Sequence, residues 1–279
     1  MKAYLDLLKQ VLENGTDSDD RTGIGTRRIF GVQTRYDLEA GFPAVTSKKL
    51  AWKSVVGELL WFIEGSGDVR RLSELTHGVP DKSTIWTANA EAQSWLDRGH
   101  QPWDAGRIYG VQWRDWRTAD GAKIDQLANL IDGLRTDPNG RRHILTAWNP
   151  GEMDQMCLPP CHVMSQFFVS NGKLSCQMYQ RSADLPLGIP FNLASYSLLT
   201  HMIAQVCGLG VGEFIHVIGD AHIYKNQFDG VKEQLTREPY PLPTLWLNPD
   251  VKQIDSFTTN DIKLENYQSH SAVSFKMAV

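Results

Sequence analysis

The sequence predicts an α+β fold, and three observations support this prediction. Residues 54–63 and 193–207 are strongly apolar segments with the length expected of buried helices. Residues 163–169 and 173–180 alternate apolar and polar side chains, as strands of a half-buried sheet do. No internal repeat, linker or low-complexity segment divides the chain. We therefore expect one α+β domain over residues 1–279.

The other elements follow from the same two periodicities. In chain order we expect a helix at residues 4–12, a strand at 28–36, a helix at 124–134, a strand at 143–148 and a strand at 213–218. Asn171 and Gly172 separate the two alternating runs and predict a tight hairpin. Residues 181–192 carry Arg, Ser, Asp and Asn with Gly and Pro between them, so we predict a polar loop there.

Composition and charge narrow the class of protein. The chain has a net charge of −4 and four cysteines. A slightly acidic chain gives no reason to expect nucleic acid or an anionic membrane as a partner. No apolar run reaches the ~18 residues needed to cross a bilayer, and the first residues lack the apolar core of a signal peptide. We therefore expect reduced thiols and a cytoplasmic protein.

Residues 158–162 are the strongest candidate for chemistry. Pro159 and Pro160 fix the backbone directly before Cys161, and a predicted strand follows. Cys161 is therefore expected at a rigid strand entrance, where a thiol nucleophile can be presented to a substrate. The alternative is a structural cysteine, because cysteine is among the most buried residue types. This segment alone leaves both interpretations open.

Glu58 is the second candidate, since it is the only charged residue in the apolar helix predicted at residues 54–63. An unpaired buried carboxylate is costly, and burial would raise its pKa into the range that suits acid–base catalysis. The alternative is a side chain that faces out of the helix. Both interpretations stand at this point.

The remaining candidates carry weaker signals. Arg21 lies in a glycine-rich loop, and Arg141 and Arg142 follow a turn, so each could bind an anion or be solvated. Cys157, Cys161 and His162 are residue types that bind zinc. A second close pair of ligands is missing from the sequence, so no metal site is expected. A Rossmann fingerprint and a Gly-x-Ser-x-Gly nucleophile motif are absent from the sequence.

A series of short motifs runs from one end of the chain to the other. They are Asp20-Arg21-Thr22-Gly23, Phe42-Pro43 with Thr46 and Lys48, Glu58-Leu59-Leu60-Trp61-Phe62, Tyr109-Gly110 with Gln112-Trp113-Arg114, Arg141-Arg142, Leu158-Pro159-Pro160-Cys161-His162, Gln180-Arg181-Ser182-Ala183-Asp184, Leu187-Gly188-Ile189-Pro190-Phe191-Asn192, Gly219-Asp220-Ala221-His222-Ile223-Tyr224 and Lys276-Met277-Ala278-Val279. In this order they resemble the signature of the thymidylate synthase family. The resemblance implies a large mixed β-sheet packed with helices, with one sheet face forming the interface of a homodimer.

The resemblance implies a methyltransferase that acts on dUMP, with 5,10-methylenetetrahydrofolate as co-substrate. Cys161 would add as thiolate to C6 of uracil, which makes C5 nucleophilic toward the folate methylene. Glu58 would act as the acid–base group through water. Tyr109 and His162 would assist removal of the C5 proton, and Asn192 would recognise the uracil edge.

The resemblance also implies which residues bind the two substrates. Those that hold dUMP would be Arg21, Gln180, Arg181, Ser182, Asp184, Asn192, His222 and Tyr224, with Arg141 and Arg142 donated across the dimer interface. Those that hold the folate would be Lys48, Ile85, Trp86, Asp184, Leu187, Gly188, Phe191 and Val279. Arg181 would also assist catalysis, because a cation beside Cys161 lowers the thiol pKa.

Two alternatives remain within this scaffold. Deoxypyrimidine nucleotide hydroxymethylases share it and add water instead of hydride. The chain departs from the family pattern at Thr87, Arg107, Pro186, Gln227, Ser269, Ser271, Ser274 and Phe275. A looser tail would admit water, so dUMP hydroxymethylation is the first alternative. Asn192 favours uracil over cytosine if its neighbours hold its amide in one orientation. A silent nucleotide- or RNA-binding relative is the weaker alternative, because Cys161 and its partners are all present.

Overall fold

The computed structural model describes residues 1–20 and 22–275. Its helices are α1 Lys2–Asn14, α2 Trp52–Ile63, α3 Val69–His77, α4 Thr87–Ala90, α5 Gln93–Leu96, α6 Tyr109–Arg114, α7 Gln126–Thr136, α8 Ile189–Cys207 and α9 Phe228–Leu235. Its strands are β1 Thr16–Ser18, β2 Thr26–Asp37, β3 Trp116–Arg117, β4 Lys123–Ile124, β5 Ile144–Thr146, β6 His162–Ser170, β7 Lys173–Asp184, β8 Gly210–Tyr224, β9 Thr244–Leu247 and β10 Ile262–Glu265. Short 3₁₀ helices occupy Pro150–Gln155, Lys225–Gln227, Ile254–Ser256 and Thr259–Asp261.

The strands confirm the α+β prediction and the mixed sheet. Within the described residues, six strands form the main sheet in the order β1-β2-β8-β7-β6-β5. Neighbouring strands run antiparallel except for β7 and β8, which are parallel. A parallel pair needs a crossover connection, and α8 supplies it. The carboxyl ends of β7 and β8 therefore lie side by side at one end of these two central strands.

Helix α8 is the centre of the core. Its buried side chains lie on every side of the helix, which explains the nearly continuous apolar sequence. Pro190 sits in its first turn, where a missing N–H costs nothing, and Gly208 ends it with φ 70°. Helix α2 contacts α8 and buries its residues from Val55 to Ile63. In the described part of the chain, no helix is long and apolar enough to cross a membrane.

The local predictions hold wherever the periodicity was clear. The helices expected at residues 4–12 and 193–207 are α1 and α8, and the helix expected at 54–63 is α2. Asn171 and Gly172 form the predicted hairpin turn with φ 50° and 72°, both left-handed, as a type I′ turn requires. The helix expected from residue 124 begins only at Gln126, because Ile124 pairs with Trp116 in a small two-stranded sheet.

The polar loop predicted at residues 181–192 is wrong at both ends. Residues 181–184 continue β7, because Ser182 and Asp184 pair with Asp220 and His222 of β8. Helix α8 begins at Ile189, so only residues 185–188 form a turn. The polar side chains of this stretch are consequently held by a strand and a helix, which fixes them more rigidly than a loop would.

One face of the main sheet carries apolar side chains that the chain leaves exposed. Ile144, Phe168 and Tyr179 are 41%, 59% and 37% exposed, whereas their alternate neighbours are buried beneath them. The strand register places Ile215 and Val217 on the same face. Helix α8 packs on the opposite face. An exposed apolar surface that spans four strands is typical of a protein interface.

Candidate active site

Cys161 lies directly before β6, at the strand entrance that the sequence predicts. Its backbone N–H donates to Tyr109 Oη at 2.7 Å, and the N–H of His162 approaches the same oxygen at 3.4 Å. The carbonyl of Cys161 accepts the N–H of Arg181 at 2.9 Å. The backbone on both sides of the thiol is thus held by a helix residue and by the neighbouring strand.

Arg181 is the cation beside the thiol. Its Nε donates to the Pro160 carbonyl at 2.8 Å, its Nη2 donates to the Pro159 carbonyl at 2.9 Å, and the same Nη2 lies 3.8 Å from Cys161 Sγ. The guanidinium also lies over the Trp148 ring, 5.5 Å from its centroid. Burial raises the pKa of the Cys161 thiol, and Arg181 opposes this rise without reversing it. In the free protein the thiol is therefore protonated at neutral pH.

Glu58 points into the core, so the outward-facing alternative is wrong. Only 6% of the residue is exposed, and the Trp86 indole N–H donates to its Oε1 at 2.7 Å. Burial raises the pKa of the Glu58 carboxyl to about 7, while the hydrogen bond from Trp86 opposes the rise. A carboxyl with this pKa exchanges its proton readily near neutral pH. The contact also shows Trp86 acting as the partner of Glu58.

Tyr109 and His162 stay neutral between the thiol and the carboxyl. The His162 ring lies 5.0 Å from the Tyr109 ring and 5.1 Å from the Tyr196 ring, measured between centroids. Burial lowers the pKa of His162 to about 4. Burial raises the pKa of Tyr109 well above its usual value. Tyr109 Oη accepts the N–H of Cys161, and the Tyr109 ring lies 5.8 Å from the ring of Trp86, the donor to Glu58, so the three groups form one cluster.

Asn192 lies near the start of α8 with its amide held by neighbours. Its Oδ1 accepts from Gln180 Nε2 at 3.1 Å, and the same nitrogen donates to the Ser182 carbonyl at 2.9 Å. The Oε1 of Gln180 faces His216 Nε2 at 2.9 Å. The amide of Asn192 is therefore hydrogen-bonded to Gln180, whose own amide lies between a carbonyl and an imidazole.

Asp184 ends β7 and organises the turn into α8. Its Oδ1 accepts the N–H of Leu187 at 3.0 Å, and its Oδ2 accepts from Gln227 Nε2 at 3.0 Å. The side-chain oxygen of Gln227 accepts the N–H of Tyr224 at 3.1 Å. Burial raises the pKa of Asp184, and the bond from Gln227 opposes that rise. Gln227, a departure from the family pattern, thus links the ends of β7 and β8.

His222 and Lys48 lie near the carboxyl ends of β7 and β8. His222 Nδ1 is 3.0 Å from Asp220 Oδ1, and Arg28 Nη1 is 3.0 Å from the other oxygen of that carboxylate. Lys48 Nζ donates to the Pro186 carbonyl at 2.7 Å. Burial lowers the pKa of Lys48 to about 8, while the charge of Asp184 opposes the fall. The buried amine of Lys48 and the half-buried carboxyl of Asp184 therefore face the turn before α8.

Some residues named from the sequence lie apart from this cluster. Arg141 and Arg142 are exposed beside the edge strand β5. Ile85 is 47% exposed, whereas Leu187, Gly188 and Phe191 are half-buried around the turn into α8. Arg21 and Val279 lie outside the described residues. Across residues 1–20 and 22–275, no group of three or more His, Cys, Asp or Glu side chains is placed to hold a metal ion.

Arg107 departs from the family pattern and lies inside the protein. Its Nε donates to Glu152 Oε2 at 2.7 Å, and its Nη1 donates to Asp115 Oδ2 at 3.0 Å. Gln112 Nε2 donates to the same oxygen of Glu152 at 2.8 Å. This ion pair joins the start of α6, which carries Tyr109, to the 3₁₀ helix before the cysteine segment.

The tail also packs against the body as far as residue 275. The N–H of His270 donates to the Thr46 carbonyl at 2.9 Å. The Phe275 ring lies on α9 at Gly230, where an added Cβ would come within 2.6 Å of the ring. Lys48 Nζ is 4.9 Å from the centroid of the same ring. The departure at Phe275 is therefore a packed contact in the described part of the tail.

His216 is the residue of this site that sequence reasoning missed. It alternates with Phe214 and Ile218 along β8, and all three face the core. In the sequence such a histidine resembles an ordinary core residue. The available signal was its polarity at an inward position of a strand that is otherwise apolar on that side.

The thiol beside an arginine, the carboxyl with a pKa near neutrality and the oriented amide are typical of one class of enzyme. Such enzymes add a cysteine to a polar substrate and move protons through a buried acid. A comparison with protein-family models matches the thymidylate synthase family over residues 2–279. The chain belongs to this family, whose members are methyltransferases and related enzymes that transfer a one-carbon unit to dUMP with methylenetetrahydrofolate as co-substrate.

Proposed function

We propose that this protein converts dUMP to dTMP, with 5,10-methylenetetrahydrofolate supplying the one-carbon unit and leaving as dihydrofolate. The contact between Arg181 Nη2 and Cys161 Sγ, at 3.8 Å, carries the proposal. It holds a thiol against a cation at a backbone that Tyr109 fixes. Trp86, which donates to Glu58 Oε1, lies 5.8 Å from the ring of the same tyrosine, so a nucleophile and an acid–base group serve one substrate position.

The thiol of Cys161 forms a bond to C6 of uracil and gives up its proton. The electron pair of the C5–C6 double bond moves toward C5 and O4. Arg181 stabilises the thiolate at the moment of attack, because burial otherwise favours the protonated thiol. Glu58, with a pKa of about 7, supplies a proton toward O4 through water.

C5 then attacks the folate methylene and afterwards loses its own proton. Tyr109 is a protonated phenol and His162 is a neutral imidazole, so neither is a strong base. Both act by orienting the water that accepts the C5 proton. The bond between the methylene and the folate nitrogen breaks, which leaves an exocyclic methylene on C5 and tetrahydrofolate beside it. Tetrahydrofolate then gives a hydride to this methylene and leaves as dihydrofolate, and the bond between Cys161 Sγ and C6 breaks to release dTMP.

The residues that recognise the substrates in this proposal lie near the carboxyl ends of β7 and β8. Asn192 presents an oriented amide to the uracil edge. Arg181 contacts the phosphate through Nη1, which makes no hydrogen bond to the described residues, and Arg21 joins it there. His222 and Tyr224 hold the deoxyribose hydroxyl, and Gln180, Ser182 and Asp184 line this pocket. The folate wall consists of Lys48, Ile85, Trp86, Leu187, Gly188 and Phe191, with Val279 at the end of the tail.

A homodimer completes the phosphate site in this proposal. The exposed face that carries Ile144, Phe168 and Tyr179 supplies an interface. Arg141 and Arg142 are exposed at the edge of the sheet beside that face. A second copy paired through the face would bring these guanidiniums toward the phosphate bound by the first copy.

The products of one reaction separate the activities that this family contains. Purified protein is incubated with dUMP and methylenetetrahydrofolate, the nucleotide is analysed by mass, and dihydrofolate is followed by absorbance. We expect dTMP and dihydrofolate in equal amounts. Hydroxymethyl-dUMP with tetrahydrofolate would replace the proposal by the hydroxymethylase alternative. Tight binding of dUMP without turnover would favour the silent relative.

The nucleophile is tested by Cys161→Ala. We expect turnover to disappear while the dissociation constant for dUMP changes by no more than a few fold, because the phosphate and uracil contacts remain. Cys157→Ala is the matched control, since burial raises the pKa of that thiol to about 12 and leaves it unreactive. Measurable turnover by the Cys161 variant would end the assignment.

The shared site is tested by mixing two inactive variants. Cys161→Ala lacks the nucleophile, and Arg142→Glu lacks the donated cation. If the arginine crosses the interface, reassociated mixtures contain one intact site per mixed dimer and recover about a quarter of the activity. If the arginine serves its own chain, the mixture stays inactive.

A further inference from the structure

A chain of hydrogen bonds with a buried centre leads from the backbone to the half-buried amide of Asn192. It consists of the Ser182 carbonyl, the Gln180 amide and the Asn192 amide, joined by the bonds of 2.9 Å and 3.1 Å that Gln180 Nε2 donates. The imidazole of His216 continues the chain on the other side of Gln180, with Nε2 2.9 Å from its Oε1. Gln180 and His216 are 3% and 0% exposed, so water has no access to these groups.

The carbonyl of Ser182 fixes the direction of this chain. A carbonyl can only accept, so Gln180 must turn its nitrogen toward Ser182. The second hydrogen of that nitrogen points to Asn192, which must present Oδ1 because two amide nitrogens would repel each other. The donor group of Asn192, its Nδ2, is consequently directed away from Gln180. The orientation of Asn192 thus depends on that of Gln180.

His216 satisfies the remaining group of Gln180. The oxygen of Gln180 faces Nε2 of the imidazole, so this nitrogen carries the proton. The ring is neutral, since burial lowers the pKa of His216 to about 3, and its Nδ1 has no partner among the described residues. The bond to Gln180 is therefore the one polar contact of this side chain within residues 1–20 and 22–275.

We propose that His216 is a positioning residue that sets the choice between uracil and cytosine. Resting on the dUMP specificity proposed above, it holds Gln180 by its donated hydrogen bond and thereby keeps Asn192 Nδ2 directed as a donor. Uracil presents an acceptor at its 4-position, whereas cytosine presents an amino donor there. Loss of the His216 donor leaves Gln180 Oε1 buried without a partner. Gln180 then leaves its rotamer to find one, and Asn192 is free to turn its oxygen toward cytosine.

His216→Leu and His216→Gln form the matched pair of variants that tests this role. Leucine removes the donor, whereas the terminal amide of glutamine can donate from about the position of imidazole Nε2. His201→Leu is the control, because His201 is a half-buried histidine of α8 whose Nε2 has no partner in the described residues. Dissociation constants for dUMP and for dCMP are measured for each protein, with its urea midpoint as a check on folding.

The ratio of the two dissociation constants is the deciding measurement. We expect the preference for dUMP to fall about tenfold in His216→Leu, the loss expected for one unsatisfied buried acceptor. His216→Gln should restore most of the preference, and His201→Leu should leave it unchanged. Should His216→Leu fail to fold, His216→Phe removes the donor while it keeps a ring. A folded variant without the donor that discriminates as the wild type does would overturn the role of His216. A wild-type protein with no preference for dUMP would instead overturn the proposed function.

Discussion

Replacement of Glu58 by glutamine tests whether this carboxyl holds a proton inside the core. Burial raises its pKa to about 7 in the folded protein, against a usual value of 4.5. Between these two values the folded state keeps a proton that the unfolded chain has lost. The carboxyl therefore adds most to stability at low pH, and this contribution disappears as the pH rises through 7. A shift of this size corresponds to about 2–3 kcal/mol between pH 5 and pH 8.

Urea unfolding of both proteins at pH 5, 6, 7 and 8, at one protein concentration, measures this effect. Glutamine has no titrating proton, so the free energy of unfolding of Glu58→Gln should rise relative to wild type by about 2–3 kcal/mol over that range. Glu91→Gln alters an exposed carboxylate and should show a constant difference from wild type. A constant difference for Glu58→Gln as well would show that the carboxyl is not protonated in the core, and its acid–base role would lose its basis.

Three further substitutions probe contacts around the site. Gly230→Leu places a side chain where the Phe275 ring lies, so thermal unfolding should detect a loss of about 1–3 kcal/mol, and adding Phe275→Ala should recover most of it. Tyr109→Phe removes the oxygen that accepts the backbone N–H groups of Cys161 and His162. This change should lower the free energy of unfolding in urea by about 1–3 kcal/mol and reduce kcat. An unchanged kcat would count against the role of the phenol. Arg107→Met removes the nearer cation of the buried Glu152 and leaves Arg117, 3.6 Å away, as its remaining ion-pair partner. We therefore expect a loss of about 3 kcal/mol, the lower end of the range for a broken buried ion pair, and Arg107→Met with Glu152→Gln should be more stable than the single variant.

Local patterns predicted the elements that are fixed by local chemistry. The hairpin at Asn171 and Gly172 needed only two residues with left-handed backbone. Helix α8 was visible because burial on every side leaves a nearly continuous apolar sequence. The strand that continues from Arg181 to Asp184 was not visible, because its side chains are polar. Its strand conformation comes from pairing with β8, a distant segment whose position the local sequence does not encode.

The candidate site divides along the same line. Cys161 and Glu58 could be singled out because a cysteine after two prolines and a lone carboxyl in an apolar helix violate local expectation. The raised pKa of that carboxyl required the fold, since burial by α2 and its neighbours causes it. His216 was not singled out, because the local sequence shows only a polar residue at an inward position of a strand. Its partner Gln180 lies on another strand, and only the parallel register brings the two together. Arg141 is expected to act across a dimer interface, which one chain by itself does not contain.

The parallel pair of β7 and β8 also determines when the site can come into existence. Strand β2, near the amino terminus, pairs with β8, so Thr26 must wait for Tyr224 to be synthesised. Pairings of such sequence separation form late, because the chain loses the entropy of closing the loop before the contact stabilises it. A nascent chain therefore carries β2, paired only with the short β1, for most of its synthesis, and the open side of β2 is exposed to aggregation. Asp184 and His222 come together only when β7 and β8 have paired. A partly folded chain therefore lacks the site altogether, and the activity regained on refolding measures how much protein has completed the sheet.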